Sequence, residues 1–162
     1  MNVLLTTRPL DIELNCAILE IATRVPPGGF DVSEKAPGTW AELKAHLDSG
    51  KKLVVYSGGS EDTIYVDPTV NYAFRAWHDH LHYINQFDFS LDGETGVCDE
   101  QCRVLAAMSR DERQASRWCR IIQAEVIGQK LYHRLYDLFP ADQRAFVLSY
   151  LENPDSALAA RW

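Results

Sequence analysis

From residue 69 onward the chain is patterned almost without a break at helical spacing, and this constrains its fold more than any other feature. Val70, Phe74, Trp77, Leu81 and Ile84 recur at three- and four-residue intervals, which places them on one face of an α-helix. The same period predicts helices over 69–86, 91–108 and 110–138, with a short fourth in ADQRAFVLSYLEN after Pro140. Asp67-Pro68-Thr69 opens the first of these, because proline is tolerated in a first turn. Ser109 and Glu112 have the spacing of a capping box before the third. The expected fold is mainly α, a helical bundle, in a single domain over 1–162 with its helical core at 69–162.

Residues 1–68 read as a mixed segment. DIELNCAILEIATRV has the composition of a helix, broken by PPGGF. TWAELKAHLDSG is a second helix, with Thr39 and Glu42 as a capping box and Gly50 as its stop. KKLVVYSGGSEDTIYVDP carries two β-favouring runs around Gly58-Gly59, which predicts a small β-hairpin in the N-terminal half.

The informative residues are polar side chains on faces that should pack inward. On the third helix Trp118, Ile121, Ile122, Leu131, Tyr132, Leu135, Tyr136 and Phe139 form the apolar stripe, and Glu125 falls at its centre, one turn from Gln129. A carboxylate there is costly unless it is paired, hydrogen-bonded or metal-bound. On the second helix Glu94 and Gln101 share the inner face with Val97, Val104, Leu105 and Met108. On the first, Asn71, Arg75, His78, His82 and Asn85 border the apolar face, while His80 points away to solvent and Asp79 lies off the stripe.

Short connections make successive helices neighbours, so these groups can converge. Two histidines at i,i+4 can bind one ion, and carboxylates from facing helices can complete its shell. The expected metal ligands are His78, His82, Glu94 and Glu125, around a divalent ion that ligand types leave open among zinc, manganese and iron. Glu125 and Glu94 are also the candidate general bases. Arg75, with Asn71, Gln101 and Gln129, would orient them or meet a small-molecule substrate. This points to a metal-dependent hydrolase. The competing reading makes the buried groups purely structural and the chain a non-enzymatic interaction protein, with Trp40 or Trp162 as anchors on a host protein.

Three other motifs compete for the same residues. HDHLHYINQFD matches a metallopeptidase pattern with Asp79 as its base and Asp88 as third ligand, although aspartate is one methylene short. His78-Asp79 with His46 and Asp137 has the residue types of a phosphohydrolase. Cys98 and Cys102 with the two histidines have those of a structural zinc site.

A formal net charge of -7 over 162 residues argues against a nucleic-acid partner. Arg110, Arg113, Arg117 and Arg120 read as a solvated helix face. No apolar run approaches the ~20 residues of a membrane span. The start, MNVLLTTRPLDIEL, lacks the pattern of a signal peptide, so a cytoplasmic location is expected. Four dispersed cysteines are expected to be thiols rather than a disulfide scaffold.

The runs NYAFRAWHDHLHY, FDFSLDGE and FPADQRAFV resemble small uncharacterised proteins encoded by bacteriophages and prophages that carry an FRAWHDxxH-type motif. The resemblance covers roughly residues 69–150 and brings no characterised activity. It implies a bacterial cytoplasm during infection and admits a counter-defence or host-takeover role.

Overall fold

The computed structural model describes residues 7–162, so the first six residues of the MNVLLTTRPLDIEL stretch lie outside the described residues. Helix α1 spans Ile12–Ala22, α2 Trp40–Asp48, α3 Pro68–Asn85 and α4 Leu91–Met108. Helices α5 (Glu112–Gln123) and α6 (Gln129–Tyr136) are joined by a π-helical turn, Ala124–Gly128, and α7 (Gln143–Glu152) and α8 (Pro154–Ala159) follow. The fold is mainly α, with one two-stranded sheet in its N-terminal half.

That sheet is not a hairpin. Strands β1 (Phe30–Ser33) and β2 (Leu53–Tyr56) pair in parallel, Phe30 opposite Leu53 and Ser33 opposite Tyr56. A parallel pair needs a crossover, and α2 supplies it. Thr39 and Glu42 form the capping box at its start. Leu43 of α2 and Leu53 and Val55 of β2 are buried with Ala76 of α3 in a small second core. The second run of the expected hairpin, Thr63 to Val66, is instead a buried loop. Its carbonyls serve other elements: Ile64 accepts from the Leu10 amide, and Tyr65 accepts from Asn15 Nδ2.

Asp67 caps α3 with Pro68 in the first turn, and α4 has the expected bounds. The cap of α5 differs: Asp111 accepts from the Gln114 amide, while the Ser109 hydroxyl donates to the carbonyls of Ala106 and Asp111. The expected long third helix is interrupted by the π turn. One extra residue in a helical turn rotates everything after it by about 100°. Gly128 and Gln129 face inward with Tyr132, and Leu135 of the expected stripe is 61% exposed; Phe139, 54% exposed, lies beyond the end of α6. Ile84 on α3 is exposed as well.

The main core gathers Leu14 and Ile18 of α1, Trp77 of α3, Leu105 of α4, Ile122 of α5, Tyr132 of α6 and Phe146 of α7. Most of the arginines at the start of α5 fasten neighbours to it rather than facing solvent alone. Arg110 and Arg117 bond Glu13 and Asp11 at the start of α1, and Arg120 bonds the Leu151 carbonyl of α7. Cys102 of α4 and Cys119 of α5 form a disulfide, contrary to the expectation of free thiols. Cys98 is a buried thiol and Cys16 an exposed one. No helix among the described residues is long and apolar enough to cross a membrane.

Candidate metal centre and its pocket

Helices α3 and α4 bring together three of the predicted groups. His78 Nε2 lies 3.1 Å from Glu94 Oε2, and His82 Nε2 lies 3.4 Å from the same oxygen. The two Nε2 atoms are 3.0 Å apart. These three residues form the one group of histidine, cysteine or acidic side chains among the described residues with donor atoms close enough to share an ion. Donors at about 2.1 Å from one small divalent ion stand about 3.0 Å apart at right angles and about 3.4 Å apart at the tetrahedral angle. The observed triangle falls in that range on all three sides.

The local structure explains how the donors are aimed. The i,i+4 spacing stacks His78 and His82 on one face of α3. His82 is fully buried, and its Nδ1 lies 2.9 Å from the Phe87 carbonyl. A carbonyl only accepts, so His82 carries its proton on Nδ1 and, when neutral, turns the Nε2 lone pair toward Glu94. His78 Nδ1 lies 3.4 Å from Gln101 Oε1, a weaker version of the same orientation. Glu94 sits in the first turn of α4, which the Ser90 side chain caps. Gly93 lets that turn close on the preceding loop: a Cβ there would lie 1.9 Å from the Asp88 carbonyl oxygen. Lys130 Nζ holds the same loop through the Phe89 carbonyl.

Two imidazole lone pairs and a carboxylate oxygen within 3.4 Å repel one another unless positive charge sits between them. A proton or a metal ion can supply it. Burial acts to raise the Glu94 carboxyl, yet hydrogen bonds and charge from His78 and His82 hold it down at about 2. Burial works against charge on His78, but the hydrogen bond and charge of Glu94, with Asp79 and Gln101, together outweigh it and raise the imidazole. The cluster is built to hold one positive centre.

A cavity of about 470 Å³ opens beside the cluster, lined by His78, Asp79 and Glu94 and by Asn71, Arg75, Glu125, Gln129 and Gln143. Glu125 faces this cavity but does not join the three donors as the sequence pattern anticipated. It is 7% exposed and sits in the π turn, a distortion that often re-aims a side chain at a functional site. Gln129 Nε2 donates to its Oε2 at 3.2 Å, and its Oε1 is buried without a partner. Burial, only partly offset by Arg75, pushes this carboxyl up to about 8.

Arg75, expected to orient ligands or meet substrate, has its guanidinium turned to the backbone. Nη1 donates to the carbonyls of Tyr56 and Gly58, both at 2.6 Å, and Nη2 donates to Gly59 at 3.1 Å. It pins the Ser57–Ser60 loop against α3 and so shapes one cavity wall. Gln101 is buried as expected, and Asn71, expected at the border of the apolar face, is buried too. Asp79, placed off the polar stripe by the wheel, also lines the cavity, and burial raises its carboxyl. Sequence reasoning missed Lys130, although its one-residue distance from Gln129 could have drawn attention to it.

The rival motifs do not assemble. Asp88 is exposed and accepts from the Ser90 amide, and His46 bonds the Lys52 carbonyl at 2.7 Å on the exposed side of α2. Asp137 is exposed, and Cys102 is tied to Cys119. The proposed anchors are both packed: Trp40 lies edge-on to Phe89, and Trp162 Nε1 donates to the Ala157 carbonyl. Comparison with protein-family models, curated proteins and solved structures finds no match to the chain.

Proposed function

We propose that His78, His82 and Glu94 bind one divalent ion, zinc, manganese or iron, and that the protein is a metal-dependent hydrolase. The observation that carries this reading is the triangle of donor atoms at 3.0, 3.1 and 3.4 Å, with His82 fixed in the tautomer a metal requires. Two histidines and one glutamate are a catalytic zinc ligand set that leaves a position for water. The cavity lies on the His78–Glu94 side of the cluster, where that water would meet substrate. An ion held by these residues would lower the pKa of a bound water and so supply a nucleophile near neutral pH. Gln101 and the Phe87 carbonyl hold the far nitrogens of the histidines and keep their donor atoms aimed.

The test is hydrolysis of a panel of chromogenic carboxylic ester, phosphoester and anilide substrates by metal-loaded protein, by chelator-treated protein and by His78→Ala. Loss of turnover with chelator and in the variant is expected. Equal rates in all three would defeat the hydrolase reading.

A further inference from the structure

The cavity beside the cluster is lined mainly by acceptors. Gln143 Nε2 donates to the Gly59 carbonyl at 3.0 Å, an assignment fixed by chemistry because that carbonyl cannot donate. Gln129 Nε2 donates to Glu125, and Asn71 Nδ2 donates to the Ser60 hydroxyl at 2.9 Å. Each of the three amides thus turns its NH2 group into the protein. Their carbonyl oxygens accept no hydrogen bond among the described residues. Glu125 adds a carboxyl oxygen that is buried and unpartnered. The two cations on the cavity wall, Arg75 and Lys130, are bonded to backbone carbonyls. Tyr56 and Phe139, both exposed, stand at the rim.

We propose that this cavity recognises a planar amidine or guanidine group, and that Glu125 is the residue that selects it. Such a group presents several N–H donors in one plane and no competing acceptor. It can give an N–H to the Glu125 oxygen that is buried without a partner. Carbonyl oxygens of Asn71, Gln129 and Gln143 can receive the remaining N–H groups, and the aromatic rim can cover the flat faces. A carboxylate or phosphate in the same place would meet the acceptor oxygens of Asn71, Gln129 and Gln143 and the carboxyl groups of Asp79 and Glu125, while the N–H groups of Arg75 and Lys130 are already bonded to backbone carbonyls.

The recognition stands without the ion; the reaction rests on the hydrolase reading. With a metal-activated water, the water oxygen bonds to the central amidinium carbon and one C–N bond breaks. Both protons of the water leave with the departing nitrogen as ammonium, and an amide remains.

The experiment is a calorimetric titration of chelator-treated protein with benzamidine and, as the anionic isostere, benzoate. It is run at about pH 9, where the carboxylate form of Glu125 dominates and benzamidine is still a cation. Benzamidine is expected to bind at least about tenfold tighter than benzoate, and Glu125→Gln to reduce that preference about tenfold. Gln143→Ala, on the exposed side of the cavity, is expected to weaken benzamidine several-fold and serves if Glu125→Gln does not fold. Equal binding of the two probes, or no benzamidine binding by folded wild type, overturns the proposal. Zinc titration of the same preparation keeps the two ideas apart: zinc uptake without benzamidine binding defeats this inference alone, and the reverse defeats the metal reading alone.

Discussion

His82 on α3 and Phe87 in the loop that follows are locked together, with imidazole Nδ1 2.9 Å from the backbone carbonyl. The bond closes the turn from α3 into α4 and decides which nitrogen of His82 faces Glu94. One contact therefore sets both the backbone path and the chemistry of the cluster. In metal-free protein at neutral pH, nitrogen NMR is expected to show His82 protonated at Nδ1. A resonance pattern with the proton on Nε2 alone would contradict the assignment of that atom as a donor to metal.

Gly93 is the second control on the geometry. Its replacement by alanine drives a methyl group into the Asp88 carbonyl, where backbone cannot yield as a side chain does. Gly93→Ala is expected to cost about 1–3 kcal/mol in denaturant unfolding and to weaken metal binding by more than that of an exposed control such as Thr95→Ala. Unchanged metal affinity would show that the first turn of α4 does not set the position of Glu94.

Arg75 separates a scaffold role from a chemical one. With three backbone carbonyls depending on its guanidinium, Arg75→Ala is expected to lose about 1–3 kcal/mol of stability. Arg75→Lys should recover only part of it, because an ammonium cannot reach the same fork of acceptors. Metal affinity should change less than threefold, or about 0.7 kcal/mol. A large fall in affinity with intact stability would place Arg75 in the chemistry after all.

Much of this was legible in the sequence because helical faces are written locally. The bounds of α4, the capping box of α2, the burial of Glu125 and the pairing of His78 with His82 all follow from spacing within one element. Glu94 could be added because a short loop forces α4 beside α3. Glu125 was misplaced as a ligand because the π turn is invisible to a 100° wheel, and Leu135 moved outward for the same reason, while Phe139 is exposed because α6 ends at Tyr136. The parallel sheet was missed because its partner strand, FDVS, is four residues long and its pairing with β2 is non-local. The Cys102–Cys119 bond likewise depends on how α4 packs against α5.

Glu125 makes stability depend on pH in a defined direction. Its carboxyl is raised by burial from 4.5 to about 8 in the folded protein. Between those values the native state holds a proton that the unfolded chain has lost, so the contribution of this group is full below 4.5 and is lost as pH rises toward 8. The steepest slope from one such group is about 1.4 kcal/mol per pH unit. Glu125→Gln, with no proton to lose, should flatten this part of the profile in chelator-treated protein. Parallel profiles for variant and wild type would show that Glu125 is ionised in the fold at neutral pH.

The most direct measurement is zinc binding by untagged protein after chelator treatment and dialysis, read by metal analysis and calorimetry. The account predicts one equivalent per chain, with affinity falling at least tenfold, about 1.4 kcal/mol, in each of His78→Ala, His82→Ala and Glu94→Gln. Glu125→Gln should keep the one-equivalent stoichiometry. Uptake of less than about a tenth of an equivalent of zinc, manganese or iron by folded wild-type protein would contradict it.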